Sequence, residues 1–257
     1  MRFRNRRFFR FGFGNLMVLA CLFSWSVMAE NQQAEPDPLL RLLPVGEAPP
    51  WEKRLNGQEL PPPEGSIPPR QVVQIRAGGV QKGDPVRLRL DRLSAPIPIG
   101  PRVVKLHRQG IAGINNSKPW HTLKVPKGDR FLAVLWRDPK EGRWSKARSM
   151  TLRDDVTAFP AGSVRFVNVS PWTVNLSHDG VDVQLPPHDM LMLANVEEGE
   201  FQVRVRIKDE KWVKVYDSVL QQDAGERTNA IVYKADGVRP RMPVKMRVFR
   251  EHAKLRR

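Results

Sequence analysis

Cysteine is almost absent from this sequence. Cys21 is the only cysteine among the 257 residues, and it lies in the N-terminal segment. Because a disulfide needs two cysteines, none can form within the chain, and thiolate metal sites and cysteine-pair redox catalysis are excluded with it. The folded part must therefore be stabilised by burial of apolar surface, for which about 190 residues are enough.

The N-terminal apolar run is too short for a membrane span. Leu16 to Ala29 is uncharged and has 14 residues, whereas a spanning helix needs about 20. Five arginines and no acidic residue precede this run, and Val27-Met28-Ala29 is typical of a signal peptidase site. Residues 1–29 are therefore predicted to be a cleaved signal peptide, with an uncleaved N-terminal anchor as the less favoured alternative.

The export route is left open by the sequence. Arg6-Arg7-Phe8-Phe9 resembles the core of a twin-arginine signal, although the residues that follow depart from that pattern. Apolar residues continue past Cys21 to Trp25, which disfavours lipoprotein processing at that cysteine. Either the Sec or the Tat route is compatible with this leader, and the predicted location is the periplasm, the cell envelope or the medium.

Catalytic and metal-binding motifs are also missing. The five histidines are not spaced as metal pairs, and no HExxH, GxSxG or glycine-rich phosphate loop is present. His178-Asp179 and His188-Asp189 are histidine–carboxylate neighbours, but both lie in or beside predicted turns. No catalytic residue, metal site or cofactor is predicted.

Asp154-Asp155 is a pair of adjacent carboxylates, and such a pair is a candidate for cation binding or acid–base chemistry. Adjacent side chains on a strand point to opposite faces of a sheet, so the two carboxylates do not converge unless the backbone bends. The pattern therefore favours a capping or turn role.

Basic residues are in large excess. The 43 lysines and arginines fall to 38 when the five leader arginines are set aside, against 27 acidic residues. The excess is concentrated between Lys234 and Arg257, which holds nine basic residues against Asp236 and Glu251. Such a segment is either a solvated tail or a polyanion-binding surface. The cations predicted for anion binding are Arg239, Arg241, Lys245, Arg247, Arg250, Lys254, Arg256 and Arg257.

Residues 30–69 are predicted to be a proline-rich linker. They contain ten prolines, which remove backbone donors and fix φ, so we expect this stretch to be extended and unable to build a sheet. Within it, Leu39 to Leu43 is expected to form one helical turn or to dock on the folded body.

The remainder of the chain indicates β-structure. Short runs alternate between apolar and polar residues, and turn signals separate them, while no segment keeps a 3.6-residue apolar period. The predicted strands are 71–76, 86–90, 131–136, 164–169 and 201–207. The pattern predicts an all-β fold of two small tandem β-sandwich domains, Ig-like or transthyretin-like, after the signal peptide and linker.

An internal echo indicates duplication. Phe131 to Asp155 and Phe201 to Asp223 each read as a strand, a charged turn and a tryptophan-led return strand. This match predicts β-domain 1 at 70–157, β-domain 2 at 158–234, and a basic C-terminal tail at 235–257. Within the tail, residues 242–250 alternate and are compatible with a further strand, and residues 251–257 are compatible with a short basic helix on an anionic surface.

The segment from Phe159 to Ser170 resembles a loosely defined set of exported bacterial proteins. Members carry an FPxGSxxFVNxS stretch followed by a strand, a proline-bearing turn and a tryptophan hairpin, represented here by Leu185 to Pro187, Phe201 to Ile207 and Trp212. The resemblance covers about 80 to 100 residues and implies exported β-sandwich domains. Its motif is structural, so it implies no active site.

The tryptophans divide into two groups. Trp136, Trp144 and Trp212 lie in or open predicted strands, which favours core positions. Trp120 and Trp172 follow prolines in predicted loops, so they are the candidate exposed rings for a sugar or another ligand. The alternative for both is an ordinary packed or scattered surface aromatic.

Together these features predict a non-enzymatic exported protein with a basic surface. The expected partners are an anionic envelope polymer, a membrane surface or an envelope protein, the last through sheet edges. The alternative is a carbohydrate-active or other hydrolytic enzyme whose carboxylates come from distant strands. Nucleic acid is not expected, because a signal peptide removes the protein from the cytoplasm.

Overall fold

The fold was determined as a computed structural model, which describes residues 37–49, 52–53, 59–60, 63–75, 81–100, 102–110, 113–114, 118–206, 211–236 and 240–253. The predicted signal peptide lies outside these residues. Every element in the described part is a strand except the 3₁₀ turn Trp144–Lys146, which confirms the all-β prediction.

Eleven strands form the first half of the fold. They are β1 Leu39–Pro44, β2 Glu52–Lys53, β3 Glu59–Leu60, β4 Gln71–Ile75, β5 Gln81–Arg87, β6 Ile97–Pro98, β7 Val103–Gly110, β8 Gly113–Ile114, β9 His121–Lys124, β10 Arg130–Arg137 and β11 Ala147–Arg153. One sheet has the order β11-β10-β1-β6, and the other has β5-β4-β7, with β8 and β9 also paired to β7.

Eight strands form the second half. They are β12 Val164–Asn168, β13 Val174–His178, β14 Val181–Leu185, β15 Asp189–Leu193, β16 Glu198–Val205, β17 Val213–Gln221, β18 Glu226–Lys234 and β19 Val244–His252. Their sheets have the orders β15-β12-β18-β19 and β14-β13-β16-β17.

The two halves repeat the same strand order. The first strand of each half pairs in parallel with the strand that comes next to last, β1 with β10 and β12 with β18, and the remaining pairs within the main sheets are antiparallel. Each half is thus a sandwich of two four-stranded sheets, apart from the small additional strands of the first. This four-plus-four order fits the transthyretin-like alternative rather than the seven-stranded ABED/CFG order of Ig constant domains.

The duplication is real in the topology, but the sequence echo aligns strands that are not equivalent. Both echo segments are antiparallel hairpins, β10–β11 and β16–β17. By position in the sheets, however, β10–β11 corresponds to β18–β19, and β16 corresponds to β7. Hairpins with a charged turn and a tryptophan look alike in sequence wherever they lie in a sandwich.

The proline-rich stretch contains a central strand, so the expectation that it cannot build a sheet is wrong for Leu39–Pro44. This strand lies between β10 and β6, and six residue pairs join it to β10. Its prolines lie just before the strand and at its last position, where the missing donor is tolerated. Leu40 and Leu42 are fully buried in the core of the first half.

The C-terminal segment is also part of a sheet. β19 pairs with β18 over nine residues, which confirms the predicted strand around 242–250. Residues 251 and 252 continue that strand, so the helix predicted from Glu251 does not begin there; residues 254–257 lie outside the described part. The boundaries drawn at 70 and 234 thus leave out one strand of each half, β1 and β19.

The two halves pack against each other through the sheets that contain the parallel pairs. The facing sides of β1 and β10 and of β12 and β18 contribute to one apolar cluster. Its members are Leu43, Val45, Leu132, Val134, Trp136, Leu152, Val167, Val169, Ile231 and Tyr233. Since each of these sheets also covers its own sandwich core, its central strands are buried on both faces. We call this contact region the junction.

Candidate functional site

Two of the predicted tail cations are ion-paired at the junction. Lys245 on β19 binds the carboxylate of Glu47, and the Arg247 Nε donates to Asp91 Oδ2 at 2.9 Å. Both acidic residues belong to the first half, so these cations join the halves instead of meeting an external anion. This corrects the expectation that the C-terminal cations form a free patch.

The other six predicted cations either form no ion pair within the described residues or lie outside them. Arg241 and Arg250 are exposed and form no ion pair within the described residues. Arg239, Lys254, Arg256 and Arg257 lie outside the described part of the chain. Among the four predicted cations that the structure describes, none are brought together as a free anion site.

Trp120 is a core residue, in contrast to the exposed ligand position predicted for it. Its side chain is 9% exposed, and its indole Nε1 donates to the Trp144 carbonyl at 2.7 Å. Trp172 is half-buried against the core of the second half. Trp136 and Trp144 are buried as predicted, whereas Trp212 is half-buried with Arg206 over its ring at 5.1 Å.

Asp154 and Asp155 point to different partners, as the strand geometry predicted. The Asp155 carboxylate accepts the backbone N–H groups of Thr157 and Ala158 at 3.2 and 3.0 Å, which is a turn-capping role. Asp154 is 2% exposed and faces the junction. The two carboxylates therefore do not act as a pair.

Asp154 lies at the centre of a buried ion network. It accepts Arg165 Nη2 at 2.9 Å and Arg227 Nη2 at 3.3 Å, and it also binds Arg41. Glu251 binds Arg41 as well and accepts Arg227 Nη2 at 3.0 Å. Three guanidinium groups thus share two carboxylates, and the strands that supply them, β1, β12, β18 and β19, come from both halves.

Neutral groups complete this network. Arg165 donates to Asn229 Oδ1 at 2.8 Å and to the Arg153 carbonyl at 2.6 Å, and its guanidinium lies over the Phe159 ring at 4.0 Å. Arg227 donates to the carbonyls of Asp154 and Phe159 at 2.9 and 3.1 Å. Each side-chain nitrogen of both buried arginines donates at least one hydrogen bond, as burial of a charge requires.

Two members of the network, Glu251 and Arg41, have pKa values that their ion-pair partners shift. Burial alone favours neutral Glu251, but the hydrogen bond and charge of Arg41, with Arg227, outweigh it and lower the pKa of this carboxyl. Burial likewise opposes the charge of Arg41, yet Glu251 and Asp154 raise its pKa. A general acid of a glycosidase needs a raised pKa and access to substrate. The pKa of Glu251 is lowered and Asp154 is buried from solvent, so the network does not support the hydrolase alternative.

The opposite end of the junction is polar as well. A cleft of about 510 Å³ opens there between the ends of β1, β10 and β18. Glu47 and Asp236 accept each other's backbone N–H groups at 2.9 and 3.0 Å, and Arg137 pairs with Asp236 across the two halves. The charged side chains of the cleft are thus largely engaged in holding the halves together.

The two histidine–carboxylate neighbours have structural surroundings. The His178 ring stacks on Phe201 with ring centres 4.4 Å apart, and His188 stacks on Trp136 at 5.5 Å. Burial and the charge of Arg148 lower the pKa of His188. Within the described residues, no group of three or more histidine, cysteine or acidic side chains could hold a metal ion.

A basic surface lies on the outer sheet of the first half, where the sequence analysis did not place one. Residues 92–128 contain seven lysines and arginines and no acidic residue. They include β7 and β9, a directly paired set of strands. The exposed cations of this strand pair and its ends are Arg102, Lys105, Lys124 and Lys127, which we call the β7–β9 surface.

The cations of the β7–β9 surface are close together and unpaired. Lys124 lies directly opposite Val103, and Lys105 lies opposite Thr122, so the two lysines are diagonal neighbours on one face. Cβ atoms in that relation are about 7–8 Å apart. None of the four cations forms an ion pair within the described residues. The surface therefore presents a positive charge that the protein does not neutralise.

The comparisons add little to this geometry. No family model matches the chain, and no curated protein matches it. One solved structure from Bacteroides eggerthii, described as "a putative cell adhesion protein", covers 84% of this chain and 96% of its own chain, with 7% identity and a TM-score of 0.20. At that score the likeness carries no argument. None of the helices among the described residues is long and apolar enough to span a bilayer.

Proposed function

We propose that this chain is a non-catalytic binding module of the bacterial envelope, and that it binds an anionic component through the β7–β9 surface. The observation that carries this proposal is the acid-free segment 92–128, whose exposed cations form no ion pair with any residue that the structure describes. Uncompensated charge on a folded surface attracts anions and makes their binding dependent on salt.

Five other cations support this assignment because they are ion-paired elsewhere in the protein. Arg41, Arg165 and Arg227 are bound to carboxylates at one end of the junction. Lys245 and Arg247 are bound at the other end. The C-terminal excess of charge is therefore used partly for assembly of the fold, and the β7–β9 surface is a cluster of cations without an ion pair among the described residues.

The leader supports an envelope location. If residues 1–29 direct export, the anions that the surface meets are lipid head groups, lipopolysaccharide phosphates or acidic polysaccharide. The resemblance of Phe159 to Ser170 to exported bacterial proteins points the same way. In that compartment nucleic acid is not the expected partner.

Vesicle binding tests the proposal. The full chain is mixed with phosphatidylcholine vesicles with and without phosphatidylglycerol, and the bound fraction is measured by flotation at rising salt. We expect binding only to the anionic vesicles, with an affinity that falls as salt rises. Equal binding to both vesicles, or salt-independent binding, would contradict an electrostatic role. A duplex DNA competitor that wins at equal phosphate concentration would favour nucleic acid instead.

A further inference from the structure

A small pocket lies at the other end of the β7–β9 strand pair. It has a volume of about 270 Å³ and is lined by Arg108, Lys118, Pro119, Trp120 and Ser145. Arg108 belongs to β7, Lys118 and Trp120 directly precede β9, and Ser145 comes from the 3₁₀ turn before β11. Three separate parts of the first half thus converge on one depression.

The wall of this pocket is fixed by hydrogen bonds. The Trp120 backbone N–H donates to the Leu106 carbonyl at 2.8 Å, and its indole Nε1 donates to the Trp144 carbonyl at 2.7 Å. The second bond ties the indole to the residue next to Ser145. Trp120 is therefore fixed in place with only 9% of its side chain exposed to the pocket, and Ser145 follows the residue to which its indole is bound.

The two cations of the pocket have no protein partner. Arg108 is half-buried and Lys118 is exposed, and neither forms an ion pair or hydrogen bond within the described residues. They belong to the acid-free segment 92–128. Two positive charges therefore converge where no carboxylate of the described residues pairs with them.

We infer that this pocket binds a phosphate monoester carried on a sugar ring. This inference rests on the proposed function, because it names the class of anion that the basic first half would select. An arginine fork binds two phosphate oxygens at once, a lysine adds a point charge, and the Ser145 hydroxyl is a further donor. Pro119, together with the small exposed part of Trp120, gives the pocket an apolar side for a sugar ring.

Charge and size separate the monoester from other anions. A phosphate monoester carries a charge of about −1.5 to −2 near neutral pH and has three acceptor oxygens, which matches two cations. A diester carries one charge and leaves one cation uncompensated. The volume is below the roughly 300–1,000 Å³ of drug-sized ligand pockets, so the site suits a single phosphorylated ring.

Calorimetric titration of the full chain tests the inference. The probes are N-acetylglucosamine 1-phosphate, unphosphorylated N-acetylglucosamine, inorganic phosphate and dimethyl phosphate. We expect the sugar phosphate to bind most tightly, inorganic phosphate to bind more weakly, and the neutral sugar and the diester to bind at least tenfold more weakly than the sugar phosphate. Equal affinity for diester and monoester would overturn the inference, and equal affinity for inorganic phosphate would remove the sugar from it.

Variants locate the binding. Arg108→Gln and Lys118→Gln should each weaken sugar phosphate binding about tenfold, and Arg108→Lys should be intermediate because it keeps the charge and loses the fork. Lys140→Gln/Lys211→Gln, at two exposed lysines outside residues 92–128, is the matched surface control and should change this affinity less than twofold. Thermal unfolding checks that each variant folds. If the Arg108 variants do not fold, Ser145→Ala provides a change in the pocket that leaves its charge unaltered. No effect from any pocket variant would contradict the site.

Failure of the inference and failure of the proposed function give different results. If the pocket is wrong and the surface is right, anionic vesicles still bind, whereas the pocket variants bind sugar phosphate as the unmodified chain does. If the pocket is right and the surface is wrong, sugar phosphate binding follows Arg108 and Lys118, but vesicle binding shows no dependence on Lys105 and Lys124.

Discussion

At the scale of single residues, Asp154 forms ion pairs that join the two halves, and no motif in the sequence indicated this role. Its carboxylate accepts hydrogen bonds from Arg165 and Arg227, which are 2% and 6% exposed, and it also binds Arg41. A buried ion pair need not stabilise a fold relative to apolar residues, but removal of one partner leaves a charge without compensation. The junction therefore depends on this one side chain.

Replacement of Asp154 by asparagine should lower the free energy of unfolding by about 3–5 kcal/mol, because Arg165 and Arg227 stay buried without a counter-charge. The matched control is Asp155→Asn, which affects a turn cap and should cost about 1 kcal/mol or less. Urea unfolding of the three proteins measures both values. Equal losses for the two variants would show that the network does not carry the junction.

Glu251 predicts a dependence of stability on pH. Its pKa is lowered in the folded protein, so it contributes stability above the pKa of the unfolded chain, and that contribution is lost as pH falls through the folded pKa. Stability measured by urea unfolding should therefore decline in acid below about pH 4.5, the ordinary glutamate value.

Glu251→Gln should flatten this acid decline and lower stability at neutral pH, because the substituted amide cannot titrate. Glu141→Gln is the control, since Glu141 is an exposed residue that pairs only with Lys146. If the two variants had the same pH profile, the titration of Glu251 would not be linked to folding.

At the scale of elements, strands were predictable where an apolar or alternating run stands between turn signals, and β1 was not predictable. The predicted 71–76, 131–136, 164–169 and 201–207 correspond closely to β4, β10, β12 and β16, whereas 86–90 meets only the end of β5. β1 was missed because its leucine run lies among the ten prolines of residues 30–69, which favoured a linker. The sequence match also misaligned the duplicated hairpins, since local patterns do not specify which sheet position a hairpin takes.

The candidate site was only partly predictable for a related reason. The C-terminal cations stood out by number, but Glu47 and Asp91, which neutralise two of them, lie about 150 to 200 residues earlier in the chain. Long-range pairing of that kind cannot be deduced from one sequence. The β7–β9 surface, by contrast, had a signal in the sequence. A count of acidic residues along the chain would have shown that 92–128 contains none.

The position of β1 predicts a large effect of a core substitution in the supposed linker. Leu42 is fully buried, so Leu42→Ala should lower the free energy of unfolding by about 2–5 kcal/mol. Val181→Ala, at a side chain 65% exposed, should change it by about 0.5 kcal/mol or less. Denaturant unfolding distinguishes the two. A negligible effect at Leu42 would mean that residues 30–69 are a linker after all.

β19 predicts that the C-terminus is required for folding. A chain that ends after Ala235 loses the strand paired to β18 and the side chains of Lys245, Arg247 and Glu251. We expect loss of cooperative thermal unfolding in that chain, whereas a chain that ends after Ala253 should keep it. Retention of the full transition by the shorter chain would contradict the assignment of β19 as an integral strand.

At the scale of the whole molecule, the two sandwiches differ in what they show to solvent. Residues 36–257 form one compact unit, in which four sheets are stacked and the junction joins the two inner ones. The C-terminal charges of the second half are partly used to bind the first, and the first half carries the free cations of the β7–β9 surface. The second half thus packs against the sheet of the first half that does not carry the proposed binding face.

The most direct test compares two double variants with the same loss of charge. Lys105→Gln/Lys124→Gln removes two cations of the β7–β9 surface, and Lys140→Gln/Lys211→Gln removes two exposed lysines outside residues 92–128. At about 1 kcal/mol for each lysine near an anionic membrane, the first variant should bind phosphatidylglycerol vesicles roughly 30-fold more weakly, with a shallower salt dependence. The second variant should bind nearly as the unmodified chain does. Equal losses in the two variants would show that net charge, and not this surface, is responsible, and would contradict the account.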